Sequence, residues 1–205
     1  KRGINSEDAV KQFVAASDKI NIALGDVLGE GAMVDVGKLT NIYESVSKTL
    51  EGKNLEAKML AIGSAVNSLG QASTANEGYM VEFMKRLGGI ASQAGLSADQ
   101  ILGYASALDQ NGQAVEMAAT AFMKLIQQMV KKPQEFVNAA GVSMERFRQM
   151  MDEDMNGAVM RVLEGMENGG GFQQLIGILL AKRKRKPPTK LPQKLQTVFC
   201  AIQKM

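Results

Sequence analysis

The sequence predicts an all-α fold: a multi-helix array of about eight or nine helices followed by a disordered basic C-terminal tail. Three observations carry this prediction. Apolar residues recur at three-four spacing, as in Met80, Phe83, Met84, Leu87 and Ile90–Ala91, which stacks them on one side of a helix. The composition, with 14 Met, no Trp and abundant Ala, Leu and Gln, is rich in unbranched side chains that lose little rotamer freedom on a helix. The four Pro stand at 133, 187, 188 and 192, so nothing before Pro133 interrupts a helix by ring closure.

Helix boundaries follow a repeated grammar of Gly, a spacer or apolar residue, Ser, then acidic residues. It occurs at Gly3-Ile4-Asn5-Ser6-Glu7-Asp8, at Gly95-Leu96-Ser97-Ala98-Asp99-Gln100 and at Gly141-Val142-Ser143-Met144-Glu145. Gly adopts the left-handed conformation that ends one helix, and the Ser oxygen accepts from free amides at the start of the next. Gln100, three residues after Ser97, completes a capping box, and Leu96 has the spacing to staple onto Ile101, as Val142 has onto Phe147. Acids in the first turn suit the positive end of the helix dipole.

The first helix is expected over 6–28, with Val10, Phe13, Val14, Ile20 and Leu24 on one face, broken by the Gly-Glu-Gly at 29–31. A second is expected over 36–50 and a third over 55–69. Thr74, with Glu77 three residues on, is the expected cap of a fourth running through residue 94. Within it Gly88 and Gly89 are expected helix breaks, as are Gly95 and Gly141 further on. Each Gly inside a helix costs about 1 kcal/mol relative to Ala; close packing explains such a cost, and a hinge is the alternative. The fifth and sixth helices are expected over 98–109 and 114–131. Pro133 fits the first turn of a seventh ending near Ala140, and the last two cover 144–151 and 155–167. Asn168-Gly169-Gly170-Gly171 reads as a flexible break. The organisation expected is an N-terminal helical segment 1–70, a helical core region 71–167, and a Gly-rich break with a basic, Pro-containing tail over 168–205.

The formal charge of +3 conceals an asymmetry. From Asn168 onward there are eight Lys and Arg and no acid, which leaves the rest of the chain with 16 bases against 21 acids. A mildly acidic body argues against specific nucleic-acid binding. The basic run 182–186 has the look of a localisation or nucleic-acid patch, yet without interleaved aromatics it reads as a solvated tail. The apolar stretch 172–181 ahead of it has a weak resemblance to a surface-lying membrane segment and is too short to span a bilayer, which takes about 20 apolar residues. No apolar run reaches that length, so no stable membrane span is expected. Starting at Lys1 with no signal-peptide pattern, the sequence reads as a piece of a longer chain.

Chemistry is narrowed by what is missing. There is no His and one Cys, Cys200, which rules out a His-based triad, a His or Cys₂ zinc site and an intramolecular disulfide. No catalytic, cofactor-binding or metal residues are assigned, and no cofactor is expected. Asp152, Glu153 and Asp154 form the densest carboxylate cluster. A glycosidase needs two carboxylates at a set separation across a sugar; three adjacent acids ahead of a helix read instead as capping groups. Nor does Asp152-Glu153-Asp154-Met155-Asn156-Gly157 have the alternating ligands of a calcium loop. Met117, Met123, Met129, Met150, Met151, Met155 and Met160 read first as core filling, with an adaptable partner surface as the alternative.

One stretch says more than its composition. Residues 73–166 contain a Thr74-Ala75-Asn76-Glu77 helix start, then Lys85-Arg86-Leu87-Gly88-Gly89-Ile90-Ala91 and an Ala94-Gly95-Leu96-Ser97 break. An Ala107-Leu108-Asp109-Gln110-Asn111-Gly112 turn and an Ala118-Ala119-Thr120-Ala121 helix follow. This run resembles the amino-terminal part of tail tape measure proteins of long-tailed bacteriophages and prophages, and the resemblance extends over about 1–180. It implies a structural protein of phage tail assembly, located in the virion tail and, during assembly, in the bacterial host cytoplasm. In that family the protein sits inside the growing tube, its length limits tube polymerisation, and it leaves with the DNA. The partners implied are further copies of itself, the tail tube, tail assembly chaperones and baseplate proteins. After about Leu180 the sequence departs from the family pattern, which fits a frame change, a truncated prophage gene or a variant tail. The other functions open are a helical membrane-active or partner-binding module and a carboxylate-dependent lytic enzyme.

Overall fold

The computed structural model describes residues 6–169, all helices and connecting turns with no strand among them. The helices are α1 (Glu7–Leu28), α2 (Ala32–Tyr43), α3 (Leu55–Ala72), α4 (Glu77–Gln93), α5 (Ala98–Gln110), α6 (Val115–Lys131), α7 (Val137–Ala140), α8 (Met144–Glu153) and α9 (Met155–Gly169). Short 3-10 turns precede α2 and α7, and a third lies at Lys48–Leu50. Gly170 and Gly171 of the expected break, the apolar stretch 172–181, the basic tail and Cys200 lie outside the described residues, as do Gly3, Ile4 and Asn5.

Two expected spans change by four residues or more. The second helix starts at Ala32 and ends at Tyr43, because only Gly29 takes a positive φ (70°) while Gly31 stays right-handed and leads straight into the helix. At its other end the amides of Val46 and Ser47 both return to the Tyr43 carbonyl, closing a turn. Pro133 heads a separate 3-10 turn, Pro133–Glu135, and the helix proper begins at Val137. The amide of Phe136 returns to the Pro133 carbonyl and so completes that turn.

The chain forms two compact units, one up to Glu116 and one from Met117, with the boundary inside α6; residues 70–72 lie within α3. In the first unit α1 packs along α3 and α2, α2 also against α4, and α4 against α5. The Leu55 amide donates to Gln12 and Gly63 faces Ile20, so α1 and α3 run parallel. Their core holds Ile20, Leu24, Val36, Leu39, Tyr43, Met59, Ile62, Val66, Met80, Phe83, Met84, Leu87 and Ile101, each fully buried large side chain contributing about 1.5–3 kcal/mol. On α1 the buried stripe is Ala16, Ser17, Ile20 and Leu24, whereas Val10 and Val14, expected inside, are about half exposed. Small residues at 16 and 17 let the neighbouring helices close on that side, which turns the two valines toward solvent.

Close approach in this unit is made by glycines. A Cβ added at Gly37 would come within 3.2 Å of the Phe13 ring on α1, one at Gly63 within 3.2 Å of Ile20, and one at Gly88 within 3.1 Å of Ile42 on α2. Gly88 and Gly89 therefore do not break α4, which continues through both. Gly88 clears a crossing with α2; Gly89 has open space around it.

In the second unit α9 packs against α7 and α8, with Phe136, Ala140, Phe147, Ala158, Val159 and Val162 buried. Backbone meets backbone here: a Cβ at Gly165 would overlap the carbonyl oxygen of Ala139. Arg161 adds a hydrogen bond from its Nε to the Ala140 carbonyl, 3.0 Å, satisfying an orphan acceptor at the α7 terminus.

Candidate functional site

The starts of α1, α3, α4, α5, α8 and α9 are each capped by a side chain that accepts from the amide three residues on, whereas α2 and α7 begin without a side-chain cap. Ser6 Oγ accepts from the Ala9 amide at 3.1 Å and Ser143 Oγ from that of Arg146 at 3.2 Å. At Ser97 both halves of a capping box form: the Gln100 amide donates to Ser97 Oγ, and the Ser97 amide to Gln100 Oε1. Gly95 (φ 77°) and Gly141 (φ 65°) take the left-handed conformation just before these caps. The cap expected at Thr74 is displaced to Asn76, whose Oδ1 accepts from the Tyr79 amide at 3.0 Å. The reason is tertiary. Asp109 on α5 accepts from the Asn76 amide at 2.6 Å, and Ser73 Oγ donates to the Leu69 carbonyl and accepts from the Ala75 amide. Residues 73–75 are thereby held as a connector, and α4 starts at Glu77.

The Asp152–Asp154 cluster is divided between two helices. Asp152 and Glu153 end α8, with Glu153 accepting from Gln149 at 3.0 Å. Asp154 lies between α8 and α9 and accepts from the Gly157 amide at 2.9 Å. Such an arrangement caps a helix and positions no pair of acids across a cleft. Among the described residues no group of three or more Asp, Glu, His or Cys is placed to hold a metal ion, and none of the described helices is long and apolar enough to cross a membrane.

The methionines also divide. Met129 and Met155 are buried, while Met117 is 65% exposed, so core filling and surface presentation are both realised within one sequence feature.

Within the first unit a chain of charges joins α2, α4 and the first turn of α6. Lys85 on α4 reaches Asp35 on α2 at 2.9 Å and Glu82 at 3.2 Å, and Asp35 also holds Lys38 at 3.2 Å. Arg86 links Glu82 (2.8 Å) to Glu116 in the first turn of α6 (3.4 Å). Burial pushes the Asp35 carboxyl up, but the hydrogen bonds from Lys85 and Lys38 outweigh it and hold the group below its ordinary value. The Asp35 hydrogen bond raises Lys85 in turn, against the opposing effect of burial.

Two tyrosines stand in opposite situations. Tyr43 is fully buried and its hydroxyl donates to the Met84 carbonyl at 3.1 Å, with burial pushing its pKa up. Tyr79 stacks on Phe83 (centroids 6.3 Å apart), but its buried hydroxyl has no partner among the described residues. Burial first, then the charges of Asp109 and Glu116, push it up to about 12. Beside these features lies a shallow groove of about 220 Å³ between α1 and α3, lined by Lys19, Ile20, Ala23, Leu24, Leu60 and Gly63 together with the polar Ser64, Asn67 and Ser68. These sites offer packing faces, helix ends and ion pairs.

Comparison with known proteins agrees with that character. The family model described as phage-related minor tail protein matches residues 8–179. A probable tape measure protein of Halomonas phage phiHAP-1 is 28% identical over 131 residues, which is 60% of this chain and 15% of that protein. The chain thus spans a small part of the relative's length. No solved structure matches it. Since the family model covers most of the sequence, the chain belongs to the phage-related minor tail protein family and is a phage tail protein.

Proposed function

We propose that this chain is the amino-terminal helical region of a tape measure protein, which sets tail length and organises tube assembly. The observation that carries the reading is the match to a probable tape measure protein of which the chain covers only 15%, joined to helices too short to be the ruler. The longest described helix has 22 residues, or about 33 Å at 1.5 Å per residue, and it is folded against its neighbours. A region of short helices folded against their neighbours serves as an end piece. Its partners are further copies, tail tube subunits, an assembly chaperone or baseplate proteins, met in the host cytoplasm before the tail is complete.

Its action is non-enzymatic on this reading, through packing faces and helix ends. The test is made in the native prophage: about 20 helical residues are inserted in frame after the segment, and tails are measured by electron microscopy. A ruler lengthens tails by about 30 Å; full-length tails of unchanged length, from virions that contain the inserted protein, refute the tape measure role while leaving a minor tail protein. A peptidoglycan-hydrolysis assay on the same protein is expected to be blank. Hydrolysis abolished by Asp152→Asn would replace this reading with a lytic one.

A further inference from the structure

Ile22 is 85% exposed on α1. A lone exposed apolar side chain is ordinary, but the surroundings of this one are not. Asp18 and Asp26 stand one turn before and one turn after it on the same face, both exposed, with no hydrogen bond or ion pair to any described residue. The nearest base, Lys19, is already held by Glu56 on α3 at 2.8 Å. Ala23, the next residue round the helix, forms one bank of the groove of about 220 Å³ between α1 and α3, and Val27 continues that bank, about half exposed. Residues 6–116 hold 14 acids against eight bases, so the surroundings reinforce the carboxylates.

We propose that this edge of α1 docks a basic amphipathic helix of a partner protein, one that presents a large apolar side chain with a Lys or Arg one turn before it and another one turn after. The apolar side chain covers Ile22 and Ala23 and enters the α1–α3 groove. The two cations meet Asp18 and Asp26, about 12 Å apart along the helix. Charge complementarity then sets the register and speeds encounter, while the apolar contact supplies the hold. The inference stands on this surface alone and is independent of the tape measure assignment.

The probe is an alanine-based helical peptide carrying one Leu with a Lys four residues to either side, added to the isotope-labelled full chain and followed by NMR. Shift changes are expected to be confined to residues 18–27 and 60–68. Asp18→Asn with Asp26→Asn, and separately Ile22→Ser, should each weaken binding by about tenfold or more with unchanged melting curves, since all three side chains are exposed. A peptide with Glu in place of both Lys should not bind. Equal binding of the two peptides, changes centred elsewhere, or no binding up to the solubility limit overturns the proposal. So does a mass in solution that doubles without peptide and reverts with Ile22→Ser, which would show that a second copy occupies this face.

Discussion

Replacing Gly165 by Ala adds one methyl group where the backbones of α7 and α9 meet. The new Cβ would overlap the Ala139 carbonyl oxygen, lie 2.5 Å from its carbonyl carbon and 3.3 Å from its Cα. All three atoms are main chain, so no rotamer change relieves the clash; α7 has to move away by about 1 Å or more. Overpacking of a tight core costs about 1–3 kcal/mol and occasionally more, and a backbone obstacle belongs at the upper end. Helix propensity works the other way, because Ala is favoured over Gly by about 1 kcal/mol in a helix interior. The net expectation is a loss of about 2 kcal/mol, or about 4–8 °C in Tm for a chain of this size. Gly89→Ala is the internal control. It gains the same propensity, on an exposed position of α4 with nothing within 4 Å, and should stabilise by about 0.5–1 kcal/mol. Both variants are measured by thermal and urea denaturation followed by circular dichroism. If Gly165→Ala is as stable as Gly89→Ala, the close approach of α7 and α9 is wrong.

Further outcomes follow from the same geometry. Ser97→Ala and Asn76→Ala should each cost about 1 kcal/mol in denaturation midpoint, as lost caps do, whereas Thr74→Val should be near neutral; a larger loss at Thr74 would return the cap there. Tyr43→Phe removes the bond to the Met84 carbonyl and should cost about 1 kcal/mol, while Tyr79→Phe removes a buried hydroxyl with no partner and should be neutral or stabilising. Because the folded pKa of Tyr79 is raised to about 12, its contribution is present below pH 10 and lost as pH rises from there, so Tyr79→Phe should flatten the alkaline loss of stability. Asp35 has a depressed folded pKa. Its contribution is therefore present above its unfolded value, near 4, and lost as pH falls through the folded one. The stability gap between the native protein and Asp35→Asn should accordingly close in acid, and a gap that stays constant down to pH 2 would contradict the ion pairs.

What was legible in the sequence is what is local. Ser6, Ser97 and Ser143 satisfy amides three residues away, and Gly95 and Gly141 supply positive φ at a single residue; such bonds close within one turn, so spacing alone reveals them. Three-four periodicity predicted the helices for the same reason, and the motifs between Thr74 and Ala121 were specific enough to point to a phage tail family. Tertiary structure decided everything that depends on a partner distant in the chain. The cap moved from Thr74 to Asn76 because Asp109, 33 residues on, accepts from the Asn76 amide. Tyr43 finds its acceptor 41 residues away. Val10 and Val14 sit outside because Ala16 and Ser17 are the residues that face the core. Gly37, Gly63, Gly88 and Gly165 sit at helix crossings while Gly89 does not, although no residue adjacent to them distinguishes the cases. A glycine's role at a crossing is defined by the atom opposite it, and that atom is brought there only by the packing of the whole unit.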